Sequence, residues 1–103
     1  MTMPLFVISY VDKPNSLALR MANREAHLAY GHAEDNPVKV KLGGPYLDEK
    51  GDMAGSLLIV EANDKAAATA FTKADPYVTC GLMQSVEVRP FRVTMNKMDS
   101  ASS

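Results

Sequence analysis

The feature that most constrains the fold is a pair of apolar segments, residues 5–11 and 55–61, each followed by a helix-forming segment. The first carries β-branched and aromatic side chains on both faces of the strand that it predicts. Because such a strand must be covered on two sides, we predict that both segments are central strands of one sheet. The helix after the second segment is predicted to start at a cap formed by Asn63 or Asp64 and to end near residue 73.

The first helix is predicted to run from residue 17 to residue 33 or 35, because Asn36-Pro37 ends it. Asn15 or Ser16 can cap its first turn through a side-chain oxygen. Three apolar side chains recur at helical spacing and are predicted to form its buried stripe: Leu17, Met21 and Leu28.

Two further strands complete the pattern. Residues 38–42 alternate valine or leucine with lysine, which indicates a half-exposed strand that the glycines and proline of residues 43–45 are expected to break. Residues 48–52 are polar and predict a hairpin tip. Asp75-Pro76 begins a short helical turn that ends near Gly81, and the alternation over residues 84–93 predicts the last strand.

The order is therefore β-α-β-β-α-β, an α+β arrangement of the ferredoxin-like type, with a four-stranded antiparallel sheet and both helices on one face. The other face still carries apolar side chains, which are Phe6 or Val7, Ile8, and Leu57 or Leu58. Because a single domain has no further helix to cover that face, we predict a homodimer in which two sheets pack face to face.

Size and charge limit the classes of function. The 103 residues predict one domain over residues 1–96, followed by a flexible tail over residues 97–103. A net charge of −1 without a basic run gives no reason to expect nucleic acid or an anionic membrane as a partner. The N-terminus lacks the basic flank of a signal peptide, no apolar run is long enough to span a membrane, and Cys80 has no partner for a disulfide. These features favour a cytoplasmic protein.

Two residues are candidates for proton transfer: His27, at the shoulder of the apolar stripe of the first helix, and Asp75, which follows the second helix. A histidine oriented by a carboxylate is the simplest device for moving protons near neutral pH. Each has a structural alternative, because His27 can be a half-buried residue satisfied by a carbonyl and Asp75 can be only the cap of the turn that begins at Pro76. Both roles of Asp75 are compatible in one carboxylate.

Other side chains are candidates for binding. Arg24 lies near His27 on the helix and can hold an anion, although an arginine at a helix surface is more often solvated. Tyr77 can fill the core or present its hydroxyl to a ligand. Gly44 can offer a bare backbone amide. No metal site is predicted, because His27 and His32 point about 140° apart around a helix. The chain has no phosphate-binding glycine loop, and no cofactor is expected.

These residues resemble the pattern of the YciI-like (YCII-related) family over residues 3–95. The matching pieces are Phe-Val-Ile at 6–8, Arg-Glu-Ala-His-Leu at 24–28, Gly-Gly-Pro at 43–45, Gly-Ser at 55–56, Ala-Asp-Pro-Tyr at 74–77 and Val-Glu-Val-Arg-Pro-Phe at 86–91. The resemblance implies a ferredoxin-like fold assembled as a dimeric α/β barrel. It also implies a site around His27 and Asp75, and it assigns the family's third-strand serine to Ser56.

The resemblance further implies small-molecule chemistry, since one branch of the family resembles dehydrochlorinases of chlorinated hydroxyquinones and the muconolactone isomerase type shares the barrel. One hypothesis is therefore a cofactor-independent lyase or isomerase that acts on an oxygenated aromatic or a lactone, with His27 as general base or acid. The alternative is a dimer that binds a small ligand or serves as an accessory protein without chemistry. A haem or oxygen role rests on analogy of fold alone.

Overall fold

The computed structural model describes residues 3–98, so residues 99–103 of the expected tail lie outside the described residues. In chain order the elements are β1 (Leu5–Asp12), α1 (Leu17–His32), β2 (Lys39–Leu47), β3 (Met53–Glu61), α2 (Lys65–Lys73), α3 (Pro76–Thr79) and β4 (Met83–Phe91). Within residues 3–98, no helix is long and apolar enough to cross a membrane.

The four strands form one antiparallel sheet in the order β2-β3-β1-β4. The two apolar segments therefore occupy its centre, as β1 and β3, and the alternating segments lie at its edges. This order, with the helices packed on the sheet, is the ferredoxin-like α+β fold, and the prediction made from the sequence is confirmed.

Strand alternation divides the sheet into a helix-covered face and an open face. The side chains of Phe6, Ile8 and Tyr10 alternate along β1 and lie buried under the helices, with Leu58 and Val60 of β3 beside them. The prediction that Ile8 lies on the second face was wrong, because residues two positions apart on a strand point to the same face and Ile8 is buried beside Phe6. The open face carries Val7, Leu57 and Ile59 instead, at half-buried positions.

The side of helix α1 that packs on the sheet is not the apolar stripe predicted from the sequence. Leu17, Met21 and Leu28 are exposed, and the buried residues of α1 are Arg20 and His27. Burial of these polar side chains is tolerated because each finds a charged partner. The partners come from distant segments of the chain, so hydrophobic periodicity alone could not identify the inward side.

The ends of the helices follow the predicted caps only in part. Ser16 occupies the N-cap position of α1 without capping it, because its hydroxyl donates to the carbonyl of Pro14, while Asn15 adopts a φ of 58°. Asp64 does cap α2 by accepting from the amide of Ala67 at 2.8 Å. Gly81 follows α3 with a φ of 84°, a conformation that favours glycine.

Strand β2 runs through residues 43–45 instead of breaking there. Gly44 is paired with Leu57 and Pro45 with Ser56, and the register shifts between Val40 and Leu42. A proline fits here because β2 is an edge strand, where a missing N–H does not interrupt a ladder on both sides. The continued strand forms one wall beside α1, and residues 48–52 make the expected turn.

Gly55 is expected to tolerate no side chain. A Cβ atom there would overlap the carbonyl oxygen of Tyr10 and lie 2.9 Å from Cδ2 of the Tyr46 ring. We expect Gly55→Ala to lower the free energy of unfolding by about 1–3 kcal/mol, measured by urea denaturation. Gly44→Ala is the control, because nothing lies within 4 Å of its added methyl group. Equal stability of the two variants would contradict the predicted overlap.

Candidate active site

A cavity of about 370 Å³ lies between α1 and the strands β2 and β3. Part of its wall is apolar, with side chains such as Leu28, Leu58 and Phe71. All six residues singled out from the sequence line this cavity: Arg24, His27, Gly44, Ser56, Asp75 and Tyr77. The structure thus brings together residues from α1, both strands and the start of α3.

His27 and Asp75 are in direct contact although they lie 48 positions apart in the sequence. Nδ1 of His27 is 2.8 Å from Oδ1 and 3.0 Å from Oδ2 of Asp75. The Asp75 side chain has 0% exposure and that of His27 has 11%. The carboxylate is therefore sealed off, while the imidazole keeps a small surface toward the cavity.

Asp75 accepts hydrogen bonds from two donors besides His27. The amide of Tyr77 donates to Oδ1 at 2.9 Å, which makes Asp75 the N-cap of α3, and the hydroxyl of Tyr10 donates to Oδ2 at 2.9 Å. Both predicted roles of Asp75, cap and partner of His27, occur together. Three donors therefore surround the one buried carboxylate and satisfy its two oxygens without water.

This arrangement fixes the proton on the imidazole. A carboxylate only accepts hydrogen bonds, so Nδ1 of His27 carries the hydrogen and Nε2 of the neutral ring keeps its lone pair. Nε2 has no protein partner within residues 3–98, and no polar side-chain atom in that range is both buried and unsatisfied. Nε2 is therefore reachable from the cavity, where it can take a proton from a ligand.

The Tyr77 ring holds the imidazole in place. It stacks on His27 with ring centroids 3.9 Å apart and an interplanar angle of 13°, and Cζ of Arg20 lies 4.5 Å from its centroid. Arg20 and His27 are two turns apart on α1, about 10 Å along the axis, so a ring that contacts both lies between them. With 1% exposure, Tyr77 is chiefly a packing residue of this site.

A second buried ion pair supports the first. Nε and Nη2 of Arg20 donate to the two carboxylate oxygens of Asp12 at 2.7 and 3.0 Å, and Nη2 also donates to Oγ of Ser56 at 2.8 Å. Burial alone would lower the pKa of Arg20, but the hydrogen bond and charge of Asp12 outweigh it and raise that pKa. Arg20 therefore stays charged, and Ser56 is held by it.

Tyr77 and Tyr10 keep their phenol protons. Burial raises the pKa of Tyr77 above its ordinary value, although the charges of Arg20 and Arg24 act to lower it. Burial also raises the pKa of Tyr10 far above its ordinary value of 10.0, and the charge and hydrogen bond of Asp75 add to the rise. Tyr10 is therefore a permanent donor to Asp75 at physiological pH.

Three participants were not identified from the sequence. Tyr10 alternates with Phe6 and Ile8, so its pattern indicated only a core side chain. Arg20 lies two turns before His27 on α1, but its partner Asp12 is the last residue of β1, on another element. No local signal joins Asp12 to Arg20, because the two residues meet only when α1 is folded against the sheet.

The remaining candidates lie at the open part of the cavity. Arg24 and Gly44 are both exposed. Cys80, just after α3, is half-buried, with Sγ 3.5 Å from the carbonyl oxygen of Tyr77. Among residues 3–98, no three His, Cys, Asp or Glu side chains are grouped as metal ligands.

Removal of the Tyr10 hydroxyl tests its role as a donor to Asp75. We expect Tyr10→Phe to lower the free energy of unfolding by about 1–3 kcal/mol at neutral pH, because Asp75 loses a buried partner. The folded protein binds the Tyr10 proton more tightly than the unfolded chain does, so this stabilisation declines as the pH rises above 10.0. Urea denaturation at neutral pH and above pH 10.0 should show that the wild-type protein and Tyr10→Phe differ less in free energy of unfolding at the higher pH. A constant difference would contradict the raised pKa.

Sequence comparison identifies relatives of the chain. The chain matches the model of the YCII-related domain over residues 4–92. Protein YciI of Escherichia coli O6:H1 is 36% identical over 94 residues, which cover 85% of this chain and 96% of that protein. An uncharacterized protein of Haemophilus influenzae is 32% identical over 93 residues, which cover 84% and 95%.

Solved structures agree with this relationship. The 5-chloro-2-hydroxyhydroquinone dehydrochlorinase TftG from Burkholderia phenoliruptrix AC1100, in complex with 2,5-dihydroxybenzoquinone, has a TM-score of 0.72 and 35% identity, covering 90% of this chain and 96% of its own. PA3566 from Pseudomonas aeruginosa shares the fold, with a TM-score of 0.56 and 18% identity over 92% of this chain and 98% of its own. With its family domain matched over residues 4–92, the chain belongs to the YCII-related family.

Proposed function

We propose that this protein is a cofactor-independent enzyme of the lyase or isomerase kind, in which His27 transfers a proton and Asp75 orients it. The observation that carries the proposal is the 2.8 Å contact between Nδ1 of His27 and the buried Asp75, which leaves Nε2 toward the cavity. A bond from Nδ1–H to a carboxylate fixes the tautomer and the orientation of the ring, so that Nε2 presents its lone pair to the cavity.

In the lyase form, the steps balance without an oxidant or reductant. Nε2 of His27 takes a proton from a carbon or hydroxyl of the substrate, and the freed electron pair forms a new double bond. A leaving group such as chloride departs with the electron pair of its own bond. The imidazolium, stabilised by the negative charge of Asp75, then gives its proton to water. In the isomerase form, the same proton returns to another atom of the substrate.

The cavity offers groups for the oxygen atoms of such a substrate. Arg24 and the amide of Gly44 are proposed to stabilise negative charge that develops on oxygen. Ser56 accepts from Arg20, so its own hydrogen is left to donate. The apolar part of the lining suits a small ring.

Similarity to TftG supports the lyase form. TftG is a dehydrochlorinase, and its structure holds 2,5-dihydroxybenzoquinone, a small oxygenated ring. Elimination of hydrogen chloride from a chlorinated hydroxyquinone is therefore the first reaction to assay. The proposed substrate class is an oxygenated aromatic, quinone or lactone.

The proposal includes a homodimer that acts in the cytoplasm. Val7, Leu57 and Ile59 leave the open face of the sheet apolar, and a second copy of the chain would bury it in a face-to-face barrel. A single cysteine leaves the chain without a disulfide of its own, as is usual in a reducing compartment. Light scattering of the purified protein measures the assembly directly.

Product analysis combined with thermal shift tests the proposed function. The full chain is incubated with chlorinated hydroxyquinones and with unsaturated lactones in D₂O, and chloride release, new products and deuterium incorporation are recorded. Turnover together with a raised melting temperature is the expected result. A raised melting temperature without any product for any compound would overturn the enzyme proposal and favour the non-catalytic ligand-binding dimer.

A further inference from the structure

The charged side chains around the cavity are unevenly distributed. Besides two histidines, the lining contains three cations, Arg20, Arg24 and Lys41, and one carboxylate, Asp75. The whole chain, in contrast, has 11 Lys and Arg against 12 Asp and Glu, for a net charge of −1. The excess of cations is therefore a local property of this cavity.

Within residues 3–98, two of the three cations have no charged partner. Asp12 neutralises Arg20 through two hydrogen bonds. Neither Arg24 nor Lys41 takes part in an ion pair within residues 3–98. Asp75 forms no ion pair with either of them, because its oxygens accept from His27, Tyr10 and the amide of Tyr77.

Arg24 and Lys41 come from different walls of the cavity. Arg24 lies on α1, one turn before His27, and its charge acts to lower the pKa of Tyr77, although burial raises that pKa overall. Lys41 lies on β2, where the register shifts between Val40 and Leu42. A ligand in the cavity therefore meets a cation from the helix and another from the sheet edge.

We propose that the cavity selects a small, largely apolar molecule that carries an anionic oxygen group, either a carboxylate or an ionised ring hydroxyl, held by Arg24 and Lys41. This inference rests on the proposed function, because it takes the same cavity as the place of reaction. A guanidinium donates two parallel N–H groups to such oxygens, and an ammonium adds a point charge. The volume of about 370 Å³ limits the ligand to a compact molecule.

The anionic group also orients the ligand. Because Arg24 precedes His27 by one helical turn, an oxygen held by Arg24 places the neighbouring atoms of the ligand toward Nε2 of His27. The apolar remainder then lies against Leu28, Leu58 and Phe71. Charge would thus decide which end of the molecule faces the base.

Binding of matched charged and neutral probes tests the inference without any turnover. Benzoate is compared with benzamide, and 2,5-dihydroxybenzoquinone with its dimethoxy analogue, by titration of the ¹⁵N-labelled full chain followed by NMR. We expect the charged member of at least one pair to bind about tenfold more tightly. A preference in the first pair identifies a carboxylate, and a preference in the second identifies an ionised ring hydroxyl. Added salt should reduce the preference.

Variants connect the preference to the two cations. Arg24→Gln and Lys41→Gln are each expected to weaken binding of the charged probe about tenfold and to leave the neutral probe unchanged. Lys50→Gln is the control, because it removes a charge at the exposed hairpin tip. His27→Gln should keep the preference for charge, so failure of the catalytic proposal is distinguishable from failure of this one.

Three results would overturn the inference. The first is equal affinity for charged and neutral probes in both pairs. The second is a preference for charge that survives in both Arg24→Gln and Lys41→Gln. The third is no binding of any probe at millimolar concentration.

Discussion

Replacement of His27 by glutamine is expected to reduce turnover by roughly a hundredfold to ten-thousandfold, the usual contribution of a positioned general base. Glutamine can still donate to Asp75 from its amide, but it has no basic atom to take a proton. The fold should persist, because the two side chains are similar in size and the hydrogen bond to Asp75 can re-form. The quantity to measure is kcat on a substrate that the wild-type protein converts.

Two controls make this result interpretable. Glu25→Gln changes an exposed residue of the same helix and should leave kcat unchanged. Circular dichroism and the melting temperature of His27→Gln establish that it is folded. Wild-type turnover in a folded His27→Gln variant would remove His27 from the mechanism and leave the cavity as a binding site.

Replacement of Arg20 by methionine is expected to lower the free energy of unfolding by about 3–5 kcal/mol, because it leaves a buried carboxylate without its partner. The side chains of Arg20 and Asp12 are only 2% and 5% exposed. The variant also frees Ser56 and removes the guanidinium from the Tyr77 ring. The midpoint of urea denaturation, at an unchanged slope, gives the loss of stability.

The chain contains a matched exposed ion pair for comparison. Arg89 and Glu87 are also 2.7 Å apart, but their side chains are 71% and 56% exposed. Solvent screening makes such pairs weak, so Arg89→Met should leave the midpoint nearly unchanged. The double variant Arg20→Met, Asp12→Leu should recover most of the lost stability, because no charge is then left buried. A double variant as unstable as Arg20→Met would show that Arg20 acts by packing and not by its charge.

Much of the fold could be predicted because its signals are local. The two central strands carry their own apolar pattern, Asp64 marks the start of α2, and Asp75-Pro76 marks the start of α3. The strand break expected at Gly44 was wrong, because glycine and proline are tolerated in a strand that forms a ladder on one side only.

The inward side of α1 could not be predicted in this way. Hydrophobic periodicity predicted an inward stripe of Leu17, Met21 and Leu28. The helix instead buries Arg20 and His27. Their burial depends on Asp12 and Asp75, which lie on other elements and are identified only when the helix is packed on the sheet. The contact between His27 and Asp75 agrees with the site expected from family resemblance, while their catalytic role stays a prediction.

The course of β2 along the sheet edge also bears on aggregation. An edge strand exposes unpaired N–H and C=O groups that can recruit strands of other molecules into fibrils. Pro45 on β2 lacks an N–H, and the register of β2 against β3 shifts near Lys41, which interrupts the regular ladder at the same edge. On the opposite edge, Pro90 on β4 also lacks one. Both rims of the sheet are thus poor templates for amyloid-like growth, even when the protein is concentrated.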